Sequence, residues 1–297
     1  MTDRDRNGVP VLVVSGFLGS GKTTLVRWLL EQAQATGVRM AVISNEFGEL
    51  GIDQALLGDR QAAYVELAGG CVCCQLSDEL LQTVEELHQR TSPDRIVVET
   101  SGIALPSETL LTFWRDPVRQ WVEEDTGVVV IDAAQVAEGR DLEGTFEEQV
   151  TSADLLILNK IDLVDAAGLA RVEQRLREIE PDAPIVRTTR GRVDPDLLFP
   201  PRPSGERRVR STPPVRSHGH DRFRHREVEI PAGMKSAEVI ERLRGLTALR
   251  IKGFVVTAEG LRLVQGVGPR VELTPTQAEV GADMLGRLVV IERDESV

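Results

Sequence analysis

Cysteine is scarce in this 297-residue chain, and its three copies, Cys71, Cys73 and Cys74, stand within four positions. Three thiols, two of them adjacent, cannot form a conventional disulfide framework. The small disulfide-stabilised folds typical of secreted proteins are therefore excluded. A reducing compartment, which keeps the thiols available for chemistry, is expected.

Long apolar runs and an excess of positive charge are also missing. No apolar run approaches the roughly 20 residues that cross a bilayer. Because residues 1–7 are mostly polar and charged, we predict a cytoplasmic protein with no signal peptide and no membrane partner. The formal net charge is −12, which argues against nucleic acid as a general partner. Lysine occurs only four times, and Lys22 and Lys160 both fall in the motifs described below.

β-branched runs alternate with amphipathic stretches from residue 10 to about residue 186, which predicts an α/β domain with a parallel sheet and helices on both faces. The predicted strands are 11–15, 40–44, 64–67, 95–99, 128–132, 155–159 and 185–187, and the predicted helices are 23–35, 77–89, 143–151 and 166–179. Ligand-binding loops are expected at the carboxyl ends of these strands.

The periodicity stops after residue 199, where five prolines and many arginines predict a linker. We divide the chain into an N-terminal tail (1–8), the α/β domain (9–199), a linker with a short histidine tract (200–221) and a C-terminal domain (222–297). The last is predicted to be a small α+β domain with a largely antiparallel sheet, with strands at 223–230, 249–257, 261–265, 270–273 and 288–292 and a helix at 236–244.

A phosphate-binding loop of the form G-x4-G-K-[ST] runs from Gly16 to Thr23, between a predicted strand and a predicted helix. Its glycines permit close approach of main-chain N–H groups to phosphates, and Lys22 would reach the β- and γ-phosphates. The Thr23 hydroxyl would bind Mg²⁺. The α/β domain is therefore predicted to be a P-loop NTPase domain. The nucleotide-binding residues predicted here are Gly16, Gly19, Ser20, Gly21, Lys22, Thr23 and Thr24.

The choice of nucleotide is predicted from Asn159-Lys160-Ile161-Asp162, an N-K-x-D motif at the end of a hydrophobic strand. The Asp162 carboxylate can accept from both guanine N1–H and the exocyclic amine, which adenine does not offer. Asn159 can meet the guanine edge or tie the loop together, and the Lys160 stem can cover the ring face. The motif favours GTP over ATP. Thr188 follows the next strand and either closes over the base or caps its own loop.

Two further loops carry candidate Mg²⁺ and γ-phosphate sensors. Glu99 ends the central predicted strand and would bind Mg²⁺ through water, and the N–H of Gly102 would sense the γ-phosphate. The loop 45–53, after the second strand, holds two glycines and three acids. Its Glu46 and Glu49 can meet Mg²⁺ or a second metal, or they can be solvated surface acids.

The cysteine cluster follows Gly69 and Gly70 just after a predicted strand. Thiolates select Zn²⁺, Cu(I) and other thiophilic ions, with Co²⁺ and Ni²⁺ as borderline cases. Two or three thiolates leave a tetrahedral ion under-ligated, which suits a transfer site, and Glu46, Glu49 or a partner could complete it. Buried structural cysteines and a redox-sensing thiol pair are the alternatives.

In combination, these motifs resemble the CobW-type family of P-loop GTPases, relatives of the HypB and UreG nickel-delivery proteins. The resemblance rests on 16–25, 45–49, 70–74, 99–102 with Pro106, and 159–162, and on Arg250-Ile251-Lys252-Gly253, which is similar to the family signature in its small C-terminal domain. It implies a slow GTPase that acts as a metallochaperone. The resemblance implies nucleotide roles for Lys22, Thr23, Glu99, Gly102, Asn159 and Asp162, and metal roles for Cys71, Cys73 and Cys74.

The functional hypothesis is a GTP-gated metal carrier, with Zn²⁺ as the first expected cargo and Co²⁺ as the second. A client metalloprotein would dock through the C-terminal domain, and the carrier would be a monomer or a homodimer. Two rivals stay open. A regulatory GTPase with redox-sensing cysteines predicts thiol oxidation without stoichiometric metal, and a small-molecule kinase predicts a preference for ATP.

Overall fold

The computed structural model describes residues 8–44, 62–66, 75–140, 144–201, 223–276, 280, 282 and 284–293. The chain forms two compact units. The first consists of residues 1–181 and 185–193, and the second of residues 182–184 and 194–297. Within the described residues, no helix combines the length and the apolar character needed to cross a bilayer.

The first unit is built on a parallel sheet whose strands stand in the order β3-β2-β4-β1-β5-β6-β7. Buried Val, Ile and Leu fill the central strands on both faces, which is the pattern of a sheet covered by helices on each side. The strands are β1 (Val9–Ser15), β2 (Met40–Ser44), β3 (Ala62–Glu66), β4 (Arg95–Glu99), β5 (Val122–Asp132), β6 (Leu155–Asn159) and β7 (Ile185–Arg187). Four of these strands have the predicted bounds, and β5 begins six residues before its predicted start.

The helices of this unit include the predicted ones and two shorter ones that periodicity did not indicate, α3 and α4. They are α1 (Lys22–Thr36), α2 (Gln75–Thr91), α3 (Pro106–Phe113), α4 (Ala133–Ala137), α5 (Thr145–Thr151) and α6 (Ala166–Ile179). Local chemistry sets their ends. Asp165 caps α6 by accepting from the N–H of Gly168 at 2.7 Å, and Gly37 stops α1 in the left-handed region at φ 71°.

The second unit contains two short helices, α7 (Pro195–Leu198) and α8 (Ser236–Arg244), and an antiparallel sheet in the order β11-β10-β9-β12-β8. Its strands are β8 (Phe223–Glu229), β9 (Ala248–Thr257), β10 (Gly260–Val267), β11 (Arg270–Pro275) and β12 (Arg287–Arg293). Val239 and Leu243 of α8 pack with Ile251, Val264 and Val290 of the sheet, so one amphipathic helix and one sheet face make the core of this unit.

Candidate nucleotide-binding site

The residues of the candidate site gather at the carboxyl ends of four adjacent parallel strands. The phosphate loop follows β1, Glu99 ends β4, Asp132 ends β5 and Asn159 ends β6. Chain order does not place these segments together, since they are up to 144 residues apart between Ser15 and Asn159. The order of the strands in the sheet brings these segments together at the carboxyl ends of the strands, where ligands bind in such folds.

The backbone of the phosphate loop depends on its glycines. Gly16, Gly19 and Gly21 have φ values of 135°, 76° and 105°, a region that other residues rarely adopt. A Cβ on Gly16 would stand 2.2 Å from the carbonyl oxygen of Val130, and one on Gly21 would stand 2.3 Å from Nδ2 of Asn159. The loop is therefore wedged between β5 and the end of β6.

The start of α1 suits a phosphate group. Gly21 occupies the N-cap position and brings no side chain to satisfy the first N–H groups of this 15-residue helix, so an anion can accept from them. Ser20 is buried, and its Oγ has no hydrogen-bond partner among the described residues. Lys22 is also buried, and its Nζ donates to the carbonyl oxygen of Gly16 at 3.0 Å. To bind phosphate oxygens, the Lys22 ammonium group would exchange this bond for bonds to the ligand.

Thr23 and Glu99 meet directly. The hydroxyl of Thr23 donates to Oε1 of Glu99 at 2.6 Å, although the two residues are 76 positions apart in the chain. Glu99 is fully buried. A hydroxyl and a carboxylate oxygen are hard donors of the kind that Mg²⁺ prefers. The pair therefore fits a magnesium ion bound beside the phosphates, with Thr23 and Glu99 as the residues that would hold it.

Gly102 lies against the phosphate loop. Residues 101–104 form a turn in which the N–H of Ala104 donates to the carbonyl oxygen of Ser101 at 3.2 Å. A Cβ on Gly102 would stand 3.0 Å from the backbone nitrogen of Leu18. A side chain here would press on the phosphate loop, so the predicted γ-phosphate sensor lies next to that loop.

Asn159 ties loops together, which is one of its two predicted roles. It is buried, and Nδ2 donates to the carbonyl oxygen of Ser20 at 2.9 Å. Its Oδ1 accepts from the N–H of Gly191 at 3.1 Å. Both ends of the amide are therefore used inside the protein, which favours the structural role over a contact with the guanine edge.

Lys160 and Asp162 take different positions in the same motif. Lys160 has a left-handed backbone, with φ 58°, and its Nζ lies 2.7 Å from Oδ2 of Asp132. Asp132 also accepts from the N–H groups of Ala134 and Gln135 at the start of α4. Asp162 lies in a 3-10 turn and is exposed, and its carboxylate bonds to no described residue, so it is available for a ligand.

The structure favours one of the two predicted roles of Thr188 and adds one residue to the site. Thr188 is fully buried and donates its hydroxyl to the carbonyl oxygen of Arg192 at 2.9 Å, so its side chain caps a loop and is not offered to the base. Asp132 was missed by sequence reasoning. The sequence does carry a signal for Asp132, because it is the last residue of the buried strand β5. Glu99 and Asn159 are likewise the last residues of β4 and β6.

The remaining candidates cannot be placed. Cys71, Cys73, Cys74, Glu46 and Glu49 lie outside the described residues, as do His218 and His220 of the linker. Within the part of the chain that the structure describes, no three His, Cys, Asp or Glu residues group as a metal site would require. The transition-metal site therefore stays a prediction from sequence.

Comparisons with known proteins cover both units. The family model "CobW/HypB/UreG, nucleotide-binding domain" matches residues 10–187, and the model "Cobalamin synthesis protein cobW C-terminal domain" matches residues 232–296. The zinc chaperone CobW of Sinorhizobium sp is 35% identical over 95% of this chain and 92% of its own length. The zinc chaperone CobW of Pseudomonas aeruginosa is 36% identical over 88% of this chain and 81% of its own.

A solved structure agrees with these sequence matches. The Zn(II)-bound YjiA GTPase from Escherichia coli superposes with a TM-score of 0.51 at 25% identity, over 97% of this chain and 94% of that one. This likeness confirms the predicted fold class, a P-loop NTPase domain with a parallel sheet followed by a small domain with an antiparallel sheet.

Proposed function

Since the chain belongs to the CobW/HypB/UreG family, we propose that it is a GTP-dependent zinc chaperone, which hydrolyses GTP and hands Zn²⁺ to a client metalloprotein. The observation that carries this proposal is the 2.6 Å bond between Thr23 and Glu99 beside an uncapped helix start. It provides an oxygen-rich, anion-accepting site for Mg²⁺ and a nucleoside triphosphate. The names of the relatives support the choice of zinc.

Each nucleotide role follows from the position of a residue. Lys22 and the N-terminus of α1 would hold the β- and γ-phosphates, and Asp162 would accept from the guanine edge. Bound Mg²⁺ would neutralise charge that builds on the phosphate oxygens during transfer. Thr23 and Glu99 orient that ion through their oxygens, and the turn with Gly102 lies where the γ-phosphate is expected.

Slow intrinsic turnover is part of the proposal. Hydrolysis needs a group that orients the attacking water, a task often performed by glutamine, and an arginine to stabilise charge in the transition state. The segment Glu99-Thr100-Ser101-Gly102 holds neither residue type. We therefore expect low activity in the isolated protein and a faster rate when a client supplies the missing group.

Zinc enters as cargo. Cys71, Cys73 and Cys74 would bind it, with Glu46 or Glu49 completing the coordination, and Co²⁺ is the second candidate ion. GTP would order the loops 45–53 and 99–106 and tighten the thiolate site, and hydrolysis would relax them and release the ion. The matched C-terminal domain would dock the client. Such coupling is reciprocal, so zinc must also tighten GTP binding.

A competitive titration of Zn²⁺ and Co²⁺ tests this proposal. It is run without nucleotide, with Mg²⁺·GDP and with Mg²⁺ plus a non-hydrolysable GTP analogue, and compares wild type with Cys73→Ser and Cys74→Ser. Lys22→Ala is the matched control. It should bind zinc as the nucleotide-free wild type does, and it should lose only the nucleotide response because its phosphate contact is gone.

The expected result is tighter zinc binding in the triphosphate state alone, and loss of zinc binding in both cysteine variants. Equal zinc affinity in all three states would refute the coupling. Thiol oxidation without stoichiometric metal would favour the redox-sensing GTPase. A preference for ATP would favour the small-molecule kinase.

A further inference from the structure

Gln149 on α5 reaches the turn that carries Gly102. Its side chain is fully buried. The amide nitrogen Nε2 donates to the carbonyl oxygen of Gly102 at 3.1 Å and to that of Ala104 at 3.0 Å. Because both partners are carbonyl acceptors, the orientation of the amide group is fixed, with the nitrogen toward the turn.

The other end of this amide has no hydrogen-bond partner in the described part of the chain. Oε1 of Gln149 is buried and accepts from no described residue. Gln149 lines a small cavity together with Phe17 of the phosphate loop, Val130 and Phe146. The two bonds from Nε2 therefore tie this helix to the turn beside the phosphate loop.

The turn has few other attachments. The hydroxyl of Ser15 donates to the carbonyl oxygen of Ala104 at 2.6 Å, and the hydroxyl of Thr100 donates to the carbonyl oxygen of Ser101 at 3.3 Å. The turn also closes on itself through the Ala104 N–H and the Ser101 carbonyl. Gln149 alone bonds the carbonyl oxygen of Gly102 among the described side chains. A Cβ on Gly102 would stand only 3.0 Å from the backbone nitrogen of Leu18 in the phosphate loop. A small shift of the turn would therefore change the direction of the Gly102 N–H.

We propose that Gln149 is a positioning residue that holds the 101–104 turn against the phosphate loop and thereby sets the preference of this protein for GTP over GDP. This inference rests on the proposed function, in which the Gly102 N–H meets the γ-phosphate. GDP has no γ-phosphate and makes no contact with the turn. Loss of the Gln149 amide therefore weakens the triphosphate complex and leaves the diphosphate complex as it is.

The test measures affinities for a fluorescent GDP and a fluorescent non-hydrolysable GTP analogue, both with Mg²⁺, and the kcat and KM for GTP. Gln149→Met removes both N–H donors and the unsatisfied oxygen while keeping a side chain of similar length. Ser152→Ala is the matched control at the end of the same helix, because its hydroxyl bonds the main chain of Gln149 at 3.1 Å and not the turn.

For Gln149→Met we expect about a tenfold to 100-fold loss of affinity for the GTP analogue, as for two hydrogen bonds, a lower kcat and an unchanged GDP affinity. Ser152→Ala should change none of these values. A Gln149→Met protein with the wild-type ratio of GTP-analogue to GDP affinity would overturn the inference. So would an equal loss for both nucleotides, since that is the effect of a residue needed only for folding.

A second variant, Gln149→Glu, makes nucleotide preference depend on pH, which a purely structural role of Gln149 would not do. In Gln149→Glu, the carboxylate faces two carbonyl oxygens, and only its neutral form donates a hydrogen bond. Preference for the GTP analogue should therefore recover in part as pH is lowered from about 8 to about 6, a range that buried carboxyls reach. A pH-independent preference in this variant would contradict the inference.

The wild-type measurements separate the two levels of the argument. A wild-type protein that binds no guanine nucleotide would overturn the proposed function and this inference together. A wild-type protein that prefers the GTP analogue, beside a Gln149→Met protein that prefers it equally, would overturn the role of Gln149 alone.

Discussion

Asn159 donates from its amide nitrogen to the carbonyl oxygen of Ser20 at 2.9 Å, across 139 positions of sequence. The bond joins the N-K-x-D motif at the end of β6 to the phosphate loop at the end of β1. The same amide accepts from the N–H of Gly191, so a single buried side chain fixes three loops relative to one another.

Asn159→Ala should weaken GTP and GDP binding by the same factor, about tenfold to 100-fold, because it leaves a buried N–H and a buried carbonyl without partners. Preference for guanine over adenine nucleotides should persist in what binding remains. Isothermal titration calorimetry with GTP, GDP, ATP and ADP measures these affinities, and a thermal melt shows whether the variant folds. Loss of base preference at unchanged phosphate affinity would instead assign Asn159 to the base.

Thr23→Val should raise the Mg²⁺ concentration that supports nucleotide binding by on the order of tenfold, because the hydroxyl that bonds Glu99 and would hold the ion is lost. Affinity for GDP measured in EDTA should match that of the wild type. Thr23→Ser keeps the hydroxyl and serves as the control. If Thr23→Val needs no more Mg²⁺ than Thr23→Ser in a Mg²⁺ titration, the Thr23 hydroxyl does not hold the ion.

Asp162→Asn should exchange guanine preference for xanthine preference. The carboxylate accepts two N–H groups from guanine, whereas an amide donates one hydrogen bond and accepts one, which suits the N1–H and C2 carbonyl of xanthine. The loss of GDP affinity should be about 100-fold, as for hydrogen bonds to a charged group. Competition between GDP and XDP measures it, and unaltered GDP binding would remove Asp162 from the site.

His88 predicts a pH dependence of stability away from the nucleotide. Its ring stacks on Trp121 with centroids 3.9 Å apart and planes 3° from parallel. Burial lowers the pKa of His88 below its ordinary value of 6.5, against a smaller opposing effect of Glu85. The unfolded chain therefore binds a proton at higher pH than the folded protein, and stability falls as pH drops below 6.5 toward the folded-state pKa.

His88→Phe, which keeps a stacked ring but cannot titrate, is the comparison for this effect. Between about pH 7 and about pH 5.5, the urea midpoint of the wild type should fall more than that of the variant. Equal shifts of the two midpoints would show that His88 contributes nothing to the pH dependence. Fluorescence of Trp121 at neutral pH checks that the stack survives the substitution.

Sequence patterns identified the elements in which local chemistry is self-sufficient. The strands β2, β4, β6 and β7 and the helices α6 and α8 have their predicted bounds, because short apolar runs and one-sided amphipathic faces specify these elements wherever they pack. The short helices α3 and α4, of eight and five residues, were not predicted.

The phosphate loop could be identified from the sequence because its residues are contiguous and stand between a strand and a helix. The contacts of Asn159, Asp132, Thr188 and Gln149 were decided only by the tertiary structure. Each depends on a partner from another segment or on burial in the folded core: Ser20 for Asn159, Lys160 for Asp132, the interior for the Thr188 hydroxyl, and the Gly102 turn for Gln149. Sequence records which side chains can donate or accept a hydrogen bond. The order in which parallel strands assemble decides which of them meet, because it brings the carboxyl ends of distant segments to one edge of the sheet.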